Sequence, residues 1–314
     1  MHFRILGQKA ACSRISLMTS QIITVVKNNF RSWQRNPRIY VTFGLAFVLC
    51  FLLTDKAVRF SYEYETIMQL VEPFVWTFGD SNSILLSSLL LLLLFADMPF
   101  LSSGTPFYLS RMDRKTWLIG QGIYVAIATF IYLVFVLLST ILLCMKNAFI
   151  GNMWSETAAI LGYSGAGKAI ALPALVKTLE MSHPYSCMFT IFVLMLLYAL
   201  LLASIMLLCT IWKSQLVGVI GVVGFSLYGF LLNPQLIKTM FQVPEQLMYK
   251  ANVAVGWLSL LNHATYHMHN FGYDLLPRLW QTYLIFIALI ALCFYLSLKA
   301  IRNYNFNFTG TEQE

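Results

Sequence analysis

The residues whose types and spacing come nearest to a chemical site are three histidines, His263, His267 and His269, in the pattern H-x3-H-x-H. On a helix this spacing can bring two imidazoles to one face, as in some zinc sites. No glutamate follows as in the H-E-x-x-H zinc motif, and the nearest acid is Asp274. The pattern therefore favours polar histidines on a loop over a metal site, with a pH-sensitive gate as the alternative.

A second segment, GYSGAGK at 162–168, fits the phosphate-binding pattern G-x4-G-K. A working phosphate loop needs a Ser or Thr hydroxyl for magnesium at the next position, where this chain has Ala169, and it needs a preceding β-strand, which the sequence does not predict. We therefore expect a flexible Gly/Ser/Ala loop. The sequence predicts no catalytic residue, no metal ligand and no cofactor site in this chain.

Asp97 is the one acid close to a predicted membrane interior, and such acids are functional candidates by default. It stands beside Pro99, near the end of an apolar run. This position favours an interfacial cap or an ion pair with Arg111 over proton coupling, because proton-driven transporters need more intramembrane acids than one.

Six long apolar runs would position these residues. A helix needs about 20 mostly apolar residues to cross a bilayer core of about 30 Å. The run LLSSLLLLLLF (85–95) lacks the strict alternation of a barrel strand. The sequence thus predicts an all-α polytopic membrane protein with six transmembrane helices, at 38–54, 83–101, 117–145, 185–211, 215–232 and 279–299.

Composition and charge agree with this fold class. The chain is 59% hydrophobic and 11% charged, whereas an average soluble domain has about 25% charged residues. Thirteen of the 21 lysines and arginines fall on one set of flanks, which includes both ends of the chain. The positive-inside rule then places both termini in the cytoplasm. The net charge of +8 is therefore a topology signal, and we expect no nucleic-acid partner.

The predicted organisation is one membrane domain, 38–300, between a cytoplasmic N-terminal region, 1–37, and a cytoplasmic tail, 301–314. Residues 17–34 have apolar side chains at helical spacing, which predicts an amphipathic helix at the membrane interface. Next, Asn36 and Pro37 predict the end of that helix and the start of the first span, because proline suits the first turn of a helix.

The stretch between the second and third spans is the most informative part of the chain. Gly104 and Pro106 break the helical pattern, and SRMDRKTW (110–117) follows as a short charged element. Asp113 is placed to cap the third span. The element is either a docking surface for another protein or a solvated positive loop.

The predicted outer loops are longer, at 55–82, 146–184 and 233–278. The last of them contains two helix-compatible pieces, 234–241 and 251–268, which we expect to form extracellular helical material between spans five and six. A seventh span is the alternative. In span five, glycines spaced three apart predict close packing against a neighbouring span or a second subunit, with a hinge as the alternative. They are Gly218, Gly221 and Gly224, with Gly229 beyond them.

The WQRNPRIY turn (33–40), the charged SRMDRKTWLIGQ element (110–121) and the six-span layout together resemble the type-2 ATP-binding-cassette (ABC) exporter permeases. The small bacterial permeases that export peptides, antibiotics or lipids through the cytoplasmic membrane are the most similar. The resemblance implies a transport subunit without an ATPase site of its own. It also implies partners: two ABC ATPase subunits carrying ATP and Mg, a second permease copy or a paralogue, membrane lipid and an amphipathic cargo.

The resemblance also implies where the ATPase docks. One contact set is the element after span two, which in that family is a coupling helix; it comprises Arg111, Met112, Asp113, Arg114, Lys115, Thr116 and Trp117. The other lies at the N-terminal turn and comprises Trp33, Arg35, Asn36, Pro37 and Arg38. In that family the cargo path is lined largely by spans two and five. A membrane-embedded enzyme and a secondary transporter are the alternatives.

Overall fold

The computed structural model describes residues 2–100, 105–170, 172, 175–232, 234–242, 244–272 and 274–306. Within these residues the chain is almost entirely helical, with fifteen α-helices and two short strands. The prediction of an all-α chain is confirmed for this part of the molecule.

Four helices are each long and apolar enough to cross a membrane. They are α2 (Pro37–Glu63), α6 (Arg114–Cys144), α10 (Pro184–Trp212) and α15 (Leu279–Ala300). They coincide with the predicted spans one, three, four and six; α2 continues nine residues beyond its predicted end, α6 begins three residues before its predicted start, and the other bounds agree within one residue. The prediction of a membrane protein with several helical spans is confirmed.

Two further pairs of helices are long and apolar enough to cross a membrane only when the two helices of each pair are counted as one bent span. Counting them in this way raises the number of candidate spans among the described residues from four to six. The first pair is α3 (Glu72–Phe78) with α4 (Ser81–Leu94), bent by 90°. The second is α11 (Gln215–Leu231) with α12 (Pro234–Phe241), bent by 76°.

The second apolar run forms a shorter helix than the predicted 83–101. Helix α4 has 14 residues, so it is only about 21 Å long. The N–H groups of Phe95 and Met98 bond to carbonyls three residues earlier, at 3.0 Å, and not to the α-helical partners four residues earlier. Pro99 then has no N–H with which to resume a helix. The helix therefore ends at Leu94 instead of reaching residue 101.

The remaining elements are short, except for the first. They are α1 (His2–Arg31), α5 (Thr105–Leu109), α7 (Glu156–Tyr163), α8 (Ala166–Ala169), α9 (Val176–Met181), α13 (Met248–Leu258) and α14 (Leu260–Ala264), with the parallel strands β1 (Met68–Gln69) and β2 (Ala148–Phe149). Helices α12, α13 and α14 fall between α11 and α15, where the sequence predicts helical material. Residues 162–168 begin at the end of helix α7 and continue into α8, so the element before this segment is a helix and not the strand that a phosphate loop requires.

Helix α10 forms the centre of the bundle and packs against α4, α6, α11 and α15. Its contact with α11 is close: a Cβ added to Gly218 would lie 2.2 Å from Thr210 Oγ1, and one added to Gly221 would lie 3.3 Å from Cys209 Sγ. The predicted close packing is confirmed for these two glycines, and the neighbour is α10. Around Gly224 an added Cβ meets nothing within 4 Å.

The N-terminal helix lies against α6. Val25 is buried, Ile22, Val26 and Phe30 are half-buried, and Leu17 is 63% exposed. The predicted start of α2 is confirmed: Asn36 accepts a hydrogen bond from the N–H of Arg38 at 3.0 Å, and Pro37 occupies the first helical turn. The apolar side of α1 thus holds this helix to the bundle between residues 22 and 30.

Candidate functional site

The charged segment between α5 and α6, residues 110–115, is the first candidate site, and we call it the charged turn. Arg111, Asp113 and Lys115 are exposed. Gln21 Nε2 on α1 donates to the carbonyl of Arg111 at 3.2 Å. Asp113 holds the predicted N-cap position of α6, although its side chain makes no capping hydrogen bond. The turn is therefore exposed to solvent and anchored to two helices.

Three residues predicted for docking point inward. Met112 is half-buried, while Thr116 and Trp117 are each 2% exposed. Thr116 and Trp117 follow the N-cap residue Asp113 by three and four positions. The helical period places both on the side of α6 that packs against neighbouring helices. The side chains of Thr116 and Trp117 are too buried to contact another protein. We therefore exclude both from the proposed docking surface.

Arg114 contacts the C-terminal segment of its own chain. Its Nη1 donates to the carbonyls of Arg302 and Tyr304, each at 3.0 Å, and its guanidinium lies 5.3 Å from the centre of the Phe306 ring. Trp117 meets the same ring edge-on at 5.4 Å. Residues 301–306 of the predicted tail are thus fastened to the start of α6, and 307–314 lie outside the described residues.

The residues predicted for docking at the N-terminal turn also differ in exposure and in contacts. Trp33 Nε1 donates to Tyr124 Oη at 2.6 Å, and the indole ring packs against Phe30 and Phe43 at 5.0 and 6.0 Å. Trp33 therefore holds α1 and α2 to α6. Arg35 is exposed, so it keeps a surface for a partner, whereas Asn36 and Pro37 serve the start of α2.

Asp97 joins three helices. Its carboxylate forms an ion pair with Arg38 at the start of α2 and accepts a hydrogen bond from Gln215 Nε2, on α11, at 3.3 Å. Gln215 also donates to the carbonyl of Ala96. The expected pairing of Asp97 with Arg111 is wrong, because the break after Leu94 turns the carboxylate towards α2 and α11.

A buried amide pair lies behind the charged turn, and the sequence analysis missed it. Asn29 Nδ2 on α1 donates to Gln121 Oε1 on α6 at 3.0 Å, and Gln121 Nε2 donates to the carbonyl of Phe100 at 3.2 Å. Both amides are buried. The signal that could have found them is Gln121 itself, a polar residue inside a predicted span.

The second candidate site is a cavity of about 730 Å³, near the start of α4 and the end of α11. Ligand pockets typically have about 300 to 1,000 Å³. Its wall combines amide groups with aliphatic side chains, including Asn82, Asn252, Asn262, Val253, Leu232 and Leu275. Such a mixed wall can hold a molecule that has both polar and apolar parts. The cavity was not predicted, because its wall comes from stretches that are far apart along the chain, near residue 81, near residue 230 and between residues 249 and 276.

The three histidines lie near this cavity, but His263 and His269 are buried instead of lying on a loop surface. His263 Nδ1 and His269 Nε2 each lie 2.9 Å from Thr282 Oγ1 on α15. His267 lines the cavity. Among the described residues no group of three or more His, Cys, Asp or Glu side chains could hold a metal ion.

A buried carboxyl group fastens two of the predicted outer loops together. Glu72 accepts hydrogen bonds from the N–H and the hydroxyl of Ser155, at 2.7 and 2.5 Å, and from the N–H of Gln69 at 3.3 Å. The strands β1 and β2 pair beside it. This carboxyl group is fully engaged with its own chain, so we assign it a structural role.

No protein-family model, curated protein or solved structure matches the chain. Its function is therefore argued from the residues described above.

Proposed function

We propose that this chain is the transmembrane permease subunit of a type-2 ABC exporter in the bacterial cytoplasmic membrane. In this proposal six segments cross the bilayer, namely α2, α4 with its bent partner α3, α6, α10, α11 and α15. Both termini face the cytoplasm. The proposal is supported by contacts among segments assigned to the same side, because Gln21 meets Arg111, Arg38 meets Asp97 and Arg114 meets Arg302.

The observation that carries the proposal is the charged turn. It exposes Arg111, Asp113 and Lys115 while its backbone is bonded to α1 and its end continues into α6. A surface anchored in this way can pass a movement of a bound protein directly to two long helices. We place the ATPase contact at these three residues and at Arg35, and leave out Thr116 and Trp117.

The cavity supports the proposed amphipathic cargo. It lies between the start of α4 and the end of α11, which correspond to spans two and five of the proposed permease. Amide groups on one part of the wall can hydrogen-bond a polar portion of the cargo, while leucine and valine side chains contact an apolar portion. We infer that a peptide, antibiotic or lipid passes along this path.

The proposed assembly contains two ATPase subunits, which carry ATP and Mg, and a second permease copy or paralogue. Helix α11 presents an exposed apolar stripe formed by Leu216, Ile220, Val223, Leu227 and Leu231. In the proposal this stripe faces membrane lipid or the second permease. ATP-driven closure of the ATPases would then move the two charged turns together and open the path between the permeases.

Co-purification tests the proposal. The chain is solubilised in mild detergent, and ATPase activity is measured in the purified material for wild type and for the double variant Arg111→Ala, Lys115→Ala. A matched control removes two exposed cations from the opposite predicted side, Lys56→Ala with Lys146→Ala. We expect ATPase activity with wild type and control, and its loss with the double variant.

The proposal fails if the wild-type chain never brings down an ATPase, or if both double variants retain it equally. Export that continues without any ATPase would favour a secondary transporter. A reaction product formed by the purified chain alone would favour a membrane-embedded enzyme.

A further inference from the structure

Two buried histidines and a threonine form one continuous chain of polar contacts. Trp257 O lies 3.1 Å from His263 Nε2, and His263 Nδ1 lies 2.9 Å from Thr282 Oγ1. The same hydroxyl lies 2.9 Å from His269 Nε2, and His269 Nδ1 lies 3.1 Å from Tyr266 O. Four contacts therefore run from one backbone carbonyl to another. The side chains between them are almost fully buried, so solvent is not there to complete the set.

These four contacts need one hydrogen more than the neutral groups possess. Each contact needs one hydrogen between its two heavy atoms. A neutral imidazole carries one N–H and the threonine hydroxyl carries one O–H, so His263, His269 and Thr282 together supply three. No choice of tautomers removes the deficit, because the carbonyls at the two ends can only accept. In the neutral state one contact must set two lone pairs against each other.

We propose that His263, Thr282 and His269 form a binding site for a single proton, shared between the two imidazoles through the threonine hydroxyl. With the proton bound, one imidazole donates to Thr282 Oγ1, this hydroxyl donates to the other imidazole, and all four contacts are hydrogen bonds. A second proton would convert both imidazoles into donors that face the same oxygen while two positive charges share one buried site, so the site holds one.

The charges around the site determine the pH at which it fills. Lys177 Nζ donates to the carbonyl of His269 at 2.9 Å and forms an ion pair with Asp274, so its charge is largely balanced. His267 lies two residues from His269 and near Asp80. A charge on His267 opposes proton uptake by His269. The rings that pack against His263 are the uncharged Trp257 indole and the Phe286 ring, and Tyr266, whose carbonyl contacts His269, carries a phenol.

Burial opposes proton uptake and the missing hydrogen favours it. Loss of water around the charged form lowers the pKa of both imidazoles, that of His269 to about 4. The fourth hydrogen bond acts in the other direction. We therefore expect uptake below the ordinary histidine pKa of about 6.5 but at a higher pH than burial alone would give.

The site adjoins the cavity wall. Leu261 and Asn262, which line the cavity, lie on α14 with His263, and Thr265 and His267 follow directly. Thr282 belongs to α15. The bound proton therefore completes the set of hydrogen bonds that joins this wall to the last long helix.

Ring nitrogen NMR tests the proposal. The full chain, labelled with ¹⁵N-histidine in lipid nanodiscs, is titrated from neutral to acid pH as wild type, Thr282→Ser and Thr282→Val. Serine keeps the hydroxyl. Valine leaves two N–H donors for two carbonyls, so no hydrogen is missing. We expect the His263 and His269 signals to move together in wild type and Thr282→Ser, with a midpoint about one pH unit, or tenfold in proton affinity, above that of Thr282→Val.

His267 supplies an internal comparison, because no hydrogen bond joins it to Thr282 among the described residues. Its charge interacts with that of His269, so its midpoint should move between the three proteins, but by much less than the midpoints of His263 and His269. The proposal is overturned if His263 and His269 titrate separately in wild type. It is equally overturned if Thr282→Val leaves their midpoints unchanged. Neither outcome depends on export or on an ATPase, so the proton site can fail while the proposed function stands.

Discussion

Individual buried polar side chains join separate elements of this bundle at defined positions. The Asn29 and Gln121 amides join α1 to α6, and Gln121 continues to the backbone before the charged turn. The Glu72 carboxyl group joins α3 to the start of α7 in the same way. Each is buried with its hydrogen bonds made, which is the condition under which a buried polar group costs little. Their partners are fixed by tertiary structure, so a single sequence does not reveal the pairs.

Acid should destabilise the protein through the buried histidines. Burial lowers the pKa of His269 in the folded chain below the value of about 6.5 that it has in the unfolded chain. Between these values the unfolded state binds more protons, so the free energy of unfolding rises with pH across this window and falls on acidification. We expect a lower melting temperature in detergent at pH 5 than at pH 7.5.

The variant His269→Asn should reduce this acid sensitivity. His183, which is exposed, supplies the matched control, and His183→Asn should respond to pH as wild type does. If His269→Asn and wild type lose the same stability between pH 7.5 and 5, the buried imidazole is not the cause.

Helix contacts add a second level of constraint, clearest where α10 meets α11. A Cβ at Gly218 would lie 2.2 Å from Thr210 Oγ1 and 3.1 Å from the carbonyl of Met206. Gly218→Ala should therefore destabilise the bundle by about 1 to 3 kcal/mol. Gly224→Ala is the control. It makes the same change in helix propensity, at an open position of the same helix. Thermal unfolding of both variants in detergent should separate the steric effect at Gly218 from the change in helix propensity. Equal melting temperatures would contradict the close α10–α11 contact.

The C-terminal segment should depend on Arg114. Arg114→Lys keeps the positive charge but cannot donate to two carbonyls in a fixed fork while stacking on Phe306. We expect amide hydrogen exchange in 301–306 to rise about tenfold, corresponding to about 1.4 kcal/mol. Lys115→Ala should leave the exchange unchanged, since Lys115 is an exposed neighbour. Unchanged exchange in Arg114→Lys would mean that the segment is held by other contacts.

The elements themselves were partly predictable. Local signals were sufficient at the start of α2, where Asn36 and Pro37 determine the boundary, and at α15, where a long apolar run has clear ends. The end of α4 was missed because LLSSLLLLLLF is followed by more apolar residues, and the break depends on hydrogen bonding around Asp97 and Pro99. The burial of Thr116 and Trp117 was not predicted, because spacing alone does not say which side of α6 faces the core.

At the scale of the whole molecule, the proposed topology places the charged turn and Lys146 on opposite sides of the membrane. Single cysteines at Lys115→Cys and Lys146→Cys, introduced into a chain without its native cysteines, can be labelled in intact cells with a membrane-impermeant maleimide. We expect rapid labelling at position 146 and labelling at position 115 only after the cells are permeabilised. The opposite result would invert the topology and move the charged turn away from ATP.

The prediction of a polytopic membrane protein came from the composition and from the uneven distribution of lysines and arginines. Both features reflect the bilayer environment, so they can be recognised without knowledge of the tertiary contacts. The cavity could not be anticipated, because it exists only where α4, α11, α13 and the segment before α15 come together. The contacts of the Thr282 hydroxyl with both histidines could not be predicted for the same reason. Thr282 lies 13 residues from His269 and 19 from His263 along the chain.

The central claim is that an ATPase subunit docks on the charged turn, and site-specific photo-crosslinking in living cells tests it most directly. A photoreactive amino acid replaces Lys115 in one variant and Lys56, an exposed cation on the opposite predicted side, in the other. The account predicts a cross-link from position 115 to an ABC ATPase subunit and none from position 56. A cross-link to that ATPase from position 56 alone, or none from position 115 in cells that still export the cargo, would contradict it.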